Sequence, residues 1–317
     1  MYSKYIDNSR KNDNSYRSID EIIENIVNYS KWRKVEKDPY TGEDLDYSVM
    51  KCFEVNQELK IKDNIFKYNY IAFSFETLMK GQENNPVAAE RKRPTTGFVV
   101  VYSDGERTQY IINRAMGATA LSILRKINNS DKHKIIEAKS FEFDSDVFLW
   151  LISKFKNDNK IDELEELVLK RVTGFKGSGN QNQATLTGSG NDVMNLFSTL
   201  SFIIEMESLK EILVQFQHSR NIYEIRFFES NSQIDVKIEN YVGDYILHSE
   251  EIRYAVILMH CFIEVIPTVI NAYQTDIENK DWGDDKKNDF SNQILKAVKH
   301  NIDKVEKTLN DESEKLS

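Results

Sequence analysis

The chain has 317 residues, 40% hydrophobic and 11% aromatic, with a net charge of −9 and an isoelectric point near 5.3. That length fits one large domain or two ordinary ones, and the apolar share excludes wholesale disorder. The acidic balance excludes a protein that coats nucleic acid regardless of sequence, which needs clustered Lys and Arg, but it leaves room for a local basic groove.

The first 17 residues are polar, lack the apolar stretch of a signal peptide and are expected to form a flexible tail. Ser18 to Glu21 reads as a capping box, and Ile19, Ile22, Ile23, Ile26 and Val27 follow at helical spacing, so a helix is predicted over 18–34. Asp38 to Gly42 reads as a turn, residues 47–78 as strands, and residues 80–97 as an exposed loop with two prolines. Phe98 to Tyr102 and Thr108 to Ile112 form a predicted β-hairpin turned at Asp104 and Gly105. A helix over 115–127, a strand over 135–143, a helix starting at Asp144 or Ser145 and an amphipathic helix over 161–172 follow.

Beyond residue 172 a glycine-rich stretch leads into a predicted helix over 192–206 and a three-stranded meander over 212–238, with a turn at 230–232. Residues 254–270 are apolar but include His260, Glu264 and Pro267, and at about 17 residues they fall short of the roughly 20 of a membrane span. They belong to a predicted core helix over 249–272, kinked or ended near Pro267. Phe290, Ile294, Val298, Ile302, Val305 and Leu309 make an apolar stripe on a long C-terminal helix. The expected fold class is α+β: antiparallel hairpins and a meander packed with several helices. The expected organisation is a tail (1–17), an N-terminal domain (18–172), a glycine-rich linker (173–191) and a C-terminal domain (192–317).

Cys52 and Cys261 sit apart in apolar surroundings, without the spacing of a zinc site, and fit buried reduced thiols in a cytoplasmic protein. Glu137-Ala138-Lys139 matches the core of the PD-(D/E)xK nuclease signature. Residues i and i+2 face one side of a strand, where the carboxylate can hold Mg²⁺ and the ammonium can orient the attacking water. Asp104 is the available upstream acid, and Asp235-Val236-Lys237 repeats the pattern. Arg91, Lys92 and Arg93 are the densest basic spot and could touch nucleic acid or an acidic partner. Gly188, Ser189, Gly190 and Asn191 precede the predicted helix at 192 and could offer backbone N–H groups to an anion. Asn191-Asp192 stands where a Walker loop has Lys-Ser, so a surface linker is the favoured reading there. His260 and Glu264 could pair one helical turn apart.

No catalytic set converges in the sequence. The expected function is that of a non-catalytic binding or assembly protein without cofactor or membrane. It would self-associate or bind a protein partner through the C-terminal helix. The Lys-, Asn- and Ile-rich, Pro-poor composition suits a bacterial multi-component system such as phage defence. The alternative is a Mg²⁺-dependent nuclease using Asp104, Glu137 and Lys139.

Overall fold

The computed structural model describes residues 1–33, 36–130, 135–162, 164, 166–179, 185–189, 206–229 and 233–316. It is an α+β protein whose contacts separate two compact units, Met1–Phe141 with Tyr245–Ile263, and Glu142–Asp244 with Glu264–Ser317. The division falls at residue 141, and residues 245–263 rejoin the first unit.

The first unit is built on a seven-stranded antiparallel sheet. Its strands are β1 (Ser3–Asp7), β2 (Tyr47–Lys51), β3 (Gln57–Ile61), β4 (Asn64–Leu78), β5 (Lys92–Ser103), β6 (Thr108–Ile112) and β7 (Ile136–Ala138). They run in the order β2-β4-β5-β6-β1-β7, with β3 also paired to β4. β4 is long enough to hold two partners along one edge: Tyr47 pairs with Phe75 and Gln57 with Tyr68. Alternation assigns the faces. Ile71, Phe73, Phe75, Val99, Val101, Tyr110 and Ile112 pack under α1 (Ile19–Val27) and α3 (Ala118–Ile127). The other face carries Phe66, Tyr68, Tyr70, Phe98, Val100 and Tyr102, all buried, and there Phe98 meets Tyr254 of α5 (Glu250–His260) edge-on. The β5–β6 turn falls at Asp104-Gly105 as expected, with Gly105 at φ +99, and the capping box at Ser18 is complete.

Three expectations in this unit are corrected. Ser3–Asp7 is an interior strand between β6 and β7 and no flexible tail. Tyr5 is 1% exposed, and the Tyr110 hydroxyl donates to the Asp7 carboxylate. Five residues with partners about a hundred positions away give no local signal. The loop expected over 80–97 ends in a short helix, α2 (Ala88–Arg91), and then β5. Pro94 is tolerated in β5 because it pairs only with Glu76 of β4, and β6 reaches no further than Val99, so the missing N–H costs no ladder bond. The strand expected over 135–143 shrinks to Ile136–Ala138.

Among the described residues the second unit holds a six-stranded antiparallel sheet in the order β10-β9-β11-β12-β13, with β8 on β9. The strands are β8 (Lys160–Asp162), β9 (Leu167–Gly179), β10 (Thr185–Ser189), β11 (Met206–His218), β12 (Asn221–Phe228) and β13 (Ile234–Val236). The meander is as expected, and Ile212, Val214 and Phe216 are fully buried at alternate positions. The helix expected over 161–172 is instead strand. Leu167 and Leu169 are buried while Lys170 and Arg171 are exposed, and Leu164, meant for the apolar face, is 96% exposed. Alternation holds at Leu167 and Leu169 and breaks at a bulge around Lys170, which turns Lys170 and Arg171 both outward and disguises the strand. The expected linker contributes β9 and β10, in which Gly174 pairs with Ser189 and Gly177 with Leu186. Of the helix expected over 192–206, residues 192–205 lie outside the described residues, as does the turn at 230–232, and Met206 opens β11.

α4 (Ser145–Asn157) is capped by Asp144, whose carboxylate accepts from Val147 N at 2.9 Å, and it packs on β9 and β11. The apolar helix after α5 runs through a π-helical turn (Cys261–Val265) into α6 (Ile266–Glu278), with Pro267 in its first turn. The helix continues past the proline, with the change of hydrogen-bond register taken up by the π-helical turn immediately before it. α7 (Asp284–Leu316) closes the chain.

The interior position of β1 sets an expectation. Tyr5→Ala should cost about 3–5 kcal/mol of unfolding free energy, the cost of removing a large buried aromatic. A tail residue would change it by about 0.5 kcal/mol or less. Urea unfolding followed by fluorescence measures the difference.

Candidate functional site

Glu137 lies on β7, at the edge of the described sheet, and Lys139 lies just past the end of that strand; both are exposed. Asp104 is also exposed, and its carboxylate accepts from Glu106 N at 3.0 Å, which locks the hairpin turn. Lys4 carries a signal the sequence did not offer. Its ammonium lies 5.7 Å from the centre of the Tyr102 ring. Burial, then the nearby Lys139, lowers its pKa to about 8, against the pull of Asp104. The second motif closes on itself, with Lys237 Nζ 2.8 Å from Asp235 Oδ2. Among the described residues no group of three or more His, Cys, Asp or Glu side chains is placed to hold a metal ion.

The basic triplet divides. Arg91 is 2% exposed, and its Nε and Nη2 donate to the two Asp38 oxygens at 2.8 and 2.7 Å. Lys92 sits 3.4 Å from Asp38 and 3.2 Å from Glu76, and Arg93 alone faces solvent. The expected basic contact patch is therefore corrected to a buried ion pair that ties the 38–42 turn to α2. Gly188 and Ser189 are strand residues of β10, and Gly190 and Asn191 lie outside the described residues. Glu264 stands 3.5 Å from His218, and His260 Nε2 lies 3.4 Å from the Tyr245 hydroxyl.

In the second unit the acids of two helices fix the start of α7. Asp146 of α4 accepts from the Tyr273 hydroxyl at 2.6 Å and Trp282 Nε1 at 3.2 Å, and pairs with Lys287 at 2.8 Å. Asp276 of α6 accepts from Trp150 Nε1 at 2.8 Å and pairs with Lys154. Phe290 and Ile294 of α7 are buried behind this lattice. Further along, Leu295 is 39% and Ile302 42% exposed. The side chains of Val305 and Leu309 lie outside the described residues.

A pocket of about 190 Å³ opens in the first unit where the end of α3 overhangs β2. Trp32, Arg33, Tyr47, Arg125 and Lys126 line it, with Glu36, Asp46 and Glu76. The Arg33 guanidinium lies 4.8 Å and the Lys126 ammonium 5.9 Å from the centre of the Tyr47 ring. Burial lifts the Tyr47 phenol to about 12. Sequence reasoning had no access to this site, since its residues come from four separate segments and match no motif.

Neither models of known protein families nor curated proteins match the chain.

The Asp38 ion pair makes stability depend on pH. Hydrogen bonds from Arg91, joined by those from Tyr40 N and Lys92, hold the Asp38 carboxyl well below the usual carboxylate range, against the opposing effect of burial. The folded chain thus binds fewer protons at this site than the unfolded chain. The stabilisation is complete above the unfolded value of about 4 and is lost as pH falls through the folded one. Asp38→Asn should therefore lower the urea midpoint at neutral pH, and the gap from wild type should narrow as the solution is acidified below about pH 4.

Proposed function

We propose that the chain is a non-catalytic binding and assembly protein that pairs with a second copy of itself through α7. The supporting observation is the change in burial along that helix. Phe290 and Ile294 are consumed by the unit's own core, while Leu295 and Ile302 stand exposed. In the sequence Leu295, Ile302, Leu309 and Leu316 recur every seventh residue, with Val298 and Val305 between them, which is the spacing of a coiled-coil seam. The residues flanking that seam choose the partner. Lys299 and Glu306 are opposite in sign, and an antiparallel pairing sets Lys299 of one copy against Glu306 of the other. The Asp146 contacts hold the base of α7, so the exposed part is presented in a fixed direction within its unit.

This reading includes a cytoplasmic setting, supported by two free cysteines. One helix, Glu250–Glu278, is long and apolar enough to cross a membrane, but 78% of its most apolar window is buried inside the protein. The composition supports membership of a bacterial multi-component system such as phage defence. The competing reading, Mg²⁺-dependent cleavage by Asp104, Glu137 and Lys139, makes a separate demand. Wild type should cut DNA or RNA when Mg²⁺ is added, and Glu137→Ala should not. We expect no cleavage from either.

Light scattering on the full chain should give the mass of a dimer. Ile302→Glu should weaken dimerisation by about tenfold or more by placing a charge in the seam. Lys299→Glu should weaken it as well, and adding Glu306→Lys should restore it. A monomeric wild type at high protein concentration sinks the reading, as does a dimer indifferent to Ile302→Glu.

A further inference from the structure

Lys4 stands apart from α7 and from the self-association drawn from it. It lies on β1, and its side chain takes the face opposite that of the buried Tyr5. There its ammonium stands 5.7 Å from the centre of the fully buried Tyr102 ring, and the residue is only part-exposed. The side chain is largely out of water without being sealed off from it.

The pairing of β1 with β7 supplies the second fact. Tyr5 pairs with Ala138, and Lys139 N, one residue on, donates to Lys4 O at 2.9 Å. The two lysines are thus cross-strand neighbours, and Cβ atoms so placed lie about 4.5–5.5 Å apart. Like charges set opposite each other are destabilising. The cation–π contact accounts for the place of Lys4 but not for a second lysine facing it. Asp104 pulls the other way, yet its carboxylate is already engaged by Glu106 N at 3.0 Å and Arg107 N at 3.4 Å. Glu137, two residues before Lys139, is exposed to solvent.

This setting favours the free amine. Burial first, then the Lys139 charge, bring Lys4 down to about 8, with Asp104 working against them. At pH 7.5 about one such amine in four is unprotonated, against about one in a thousand for an ordinary lysine. Nucleophilicity falls with basicity, which gives back part of that gain and leaves an advantage of about tenfold. The matching reagent is an electrophile small enough for a part-covered nitrogen, with a leaving group that suits a neighbouring ammonium. A small acyl phosphate meets each condition, since its carbonyl carbon takes the amine and its phosphate can pair with Lys139.

We propose that Lys4 is a site of covalent acylation by small acyl phosphates, with Lys139 pairing with the phosphate that departs. The free Nζ attacks the carbonyl carbon. The C–N bond forms as the C–O bond to phosphate breaks, and the phosphate leaves with the proton that the amine gives up. The full chain should be incubated with acetyl phosphate at pH 7.5, and initial rates read lysine by lysine by peptide mass spectrometry. Lys4 should be acetylated about tenfold faster than the exposed Lys60 and Lys67. Its rate should level off above about pH 8 while theirs keep climbing. Lys139→Gln removes both the phosphate's partner and the repulsion, so it should slow Lys4 about fivefold or more. Lys139 is exposed, so circular dichroism should show this variant folded. With acetic anhydride, which releases no phosphate, Lys4 should still lead, and the loss in Lys139→Gln should be smaller. Acetylation of Lys4 no faster than that of Lys60 and Lys67 overturns the proposal. So does a rate that Lys139→Gln leaves unchanged, or lowers equally with both donors.

Discussion

The first unit is governed by one constraint: its central strands bury side chains on both faces. Val99, Val100, Val101 and Tyr102 are consecutive and all fully buried. Each such side chain contributes about 1.5–3 kcal/mol only when its own face is covered. A sheet with one solvated face cannot accommodate this run, so cover must arrive on both sides. α1 and α3 supply it on one side. α5, more than a hundred residues further along the chain, supplies it on the other, with Tyr254 on Phe98. That requirement explains why residues 245–263 return to the unit that the first 141 residues build. The same logic draws in β1, since without it the edges of β6 and β7 would stand open in the middle of the sheet.

The second unit solves a different problem. Its sheet, interrupted by bulges between β9 and β11, must also support a 33-residue helix whose latter part is mostly polar. Two acids meet the need. Asp146 and Asp276 gather a tyrosine, two tryptophan N–H groups and two lysines from α4, α6, α7 and the segment leading into α7. Each carboxylate is satisfied by charged and neutral donors together, a combination that tolerates partial burial. Asp146 in return raises the pKa of Lys287.

What the sequence disclosed follows the range of the physics. Local chemistry was legible: the Ser18 capping box, the Asp104-Gly105 turn, the Asp144 cap and the period-two runs of β11 and β12 all act within a few residues. Pairing over distance was not. β1 depends on Thr108–Ile112, and β9 looks helical until β11 is laid beside it. Pro94 seemed to forbid a strand because nothing in the sequence tells which edge of β5 stays unpaired. The candidate residues fared in the same way. The spacing of Glu137 and Lys139 says nothing about depth or about where a strand ends: β7 stops at Ala138, and both residues are exposed. Arg91 belonged to a basic run by composition, and only the fold reveals Asp38 beneath it.

Arg125 and Lys126 lie in the last turn of α3, where cations favour the helix dipole by about 0.3–1 kcal/mol. That account explains their charge and would hold on any exposed helix end. It does not explain where Lys126 sits, 4.5 Å from the centre of the Phe75 ring and 5.9 Å from that of Tyr47, because dipole stabilisation needs only a solvated cation nearby. Burial lowers the Lys126 pKa, so the aromatic faces offset a desolvation that the helix end alone would not ask of it.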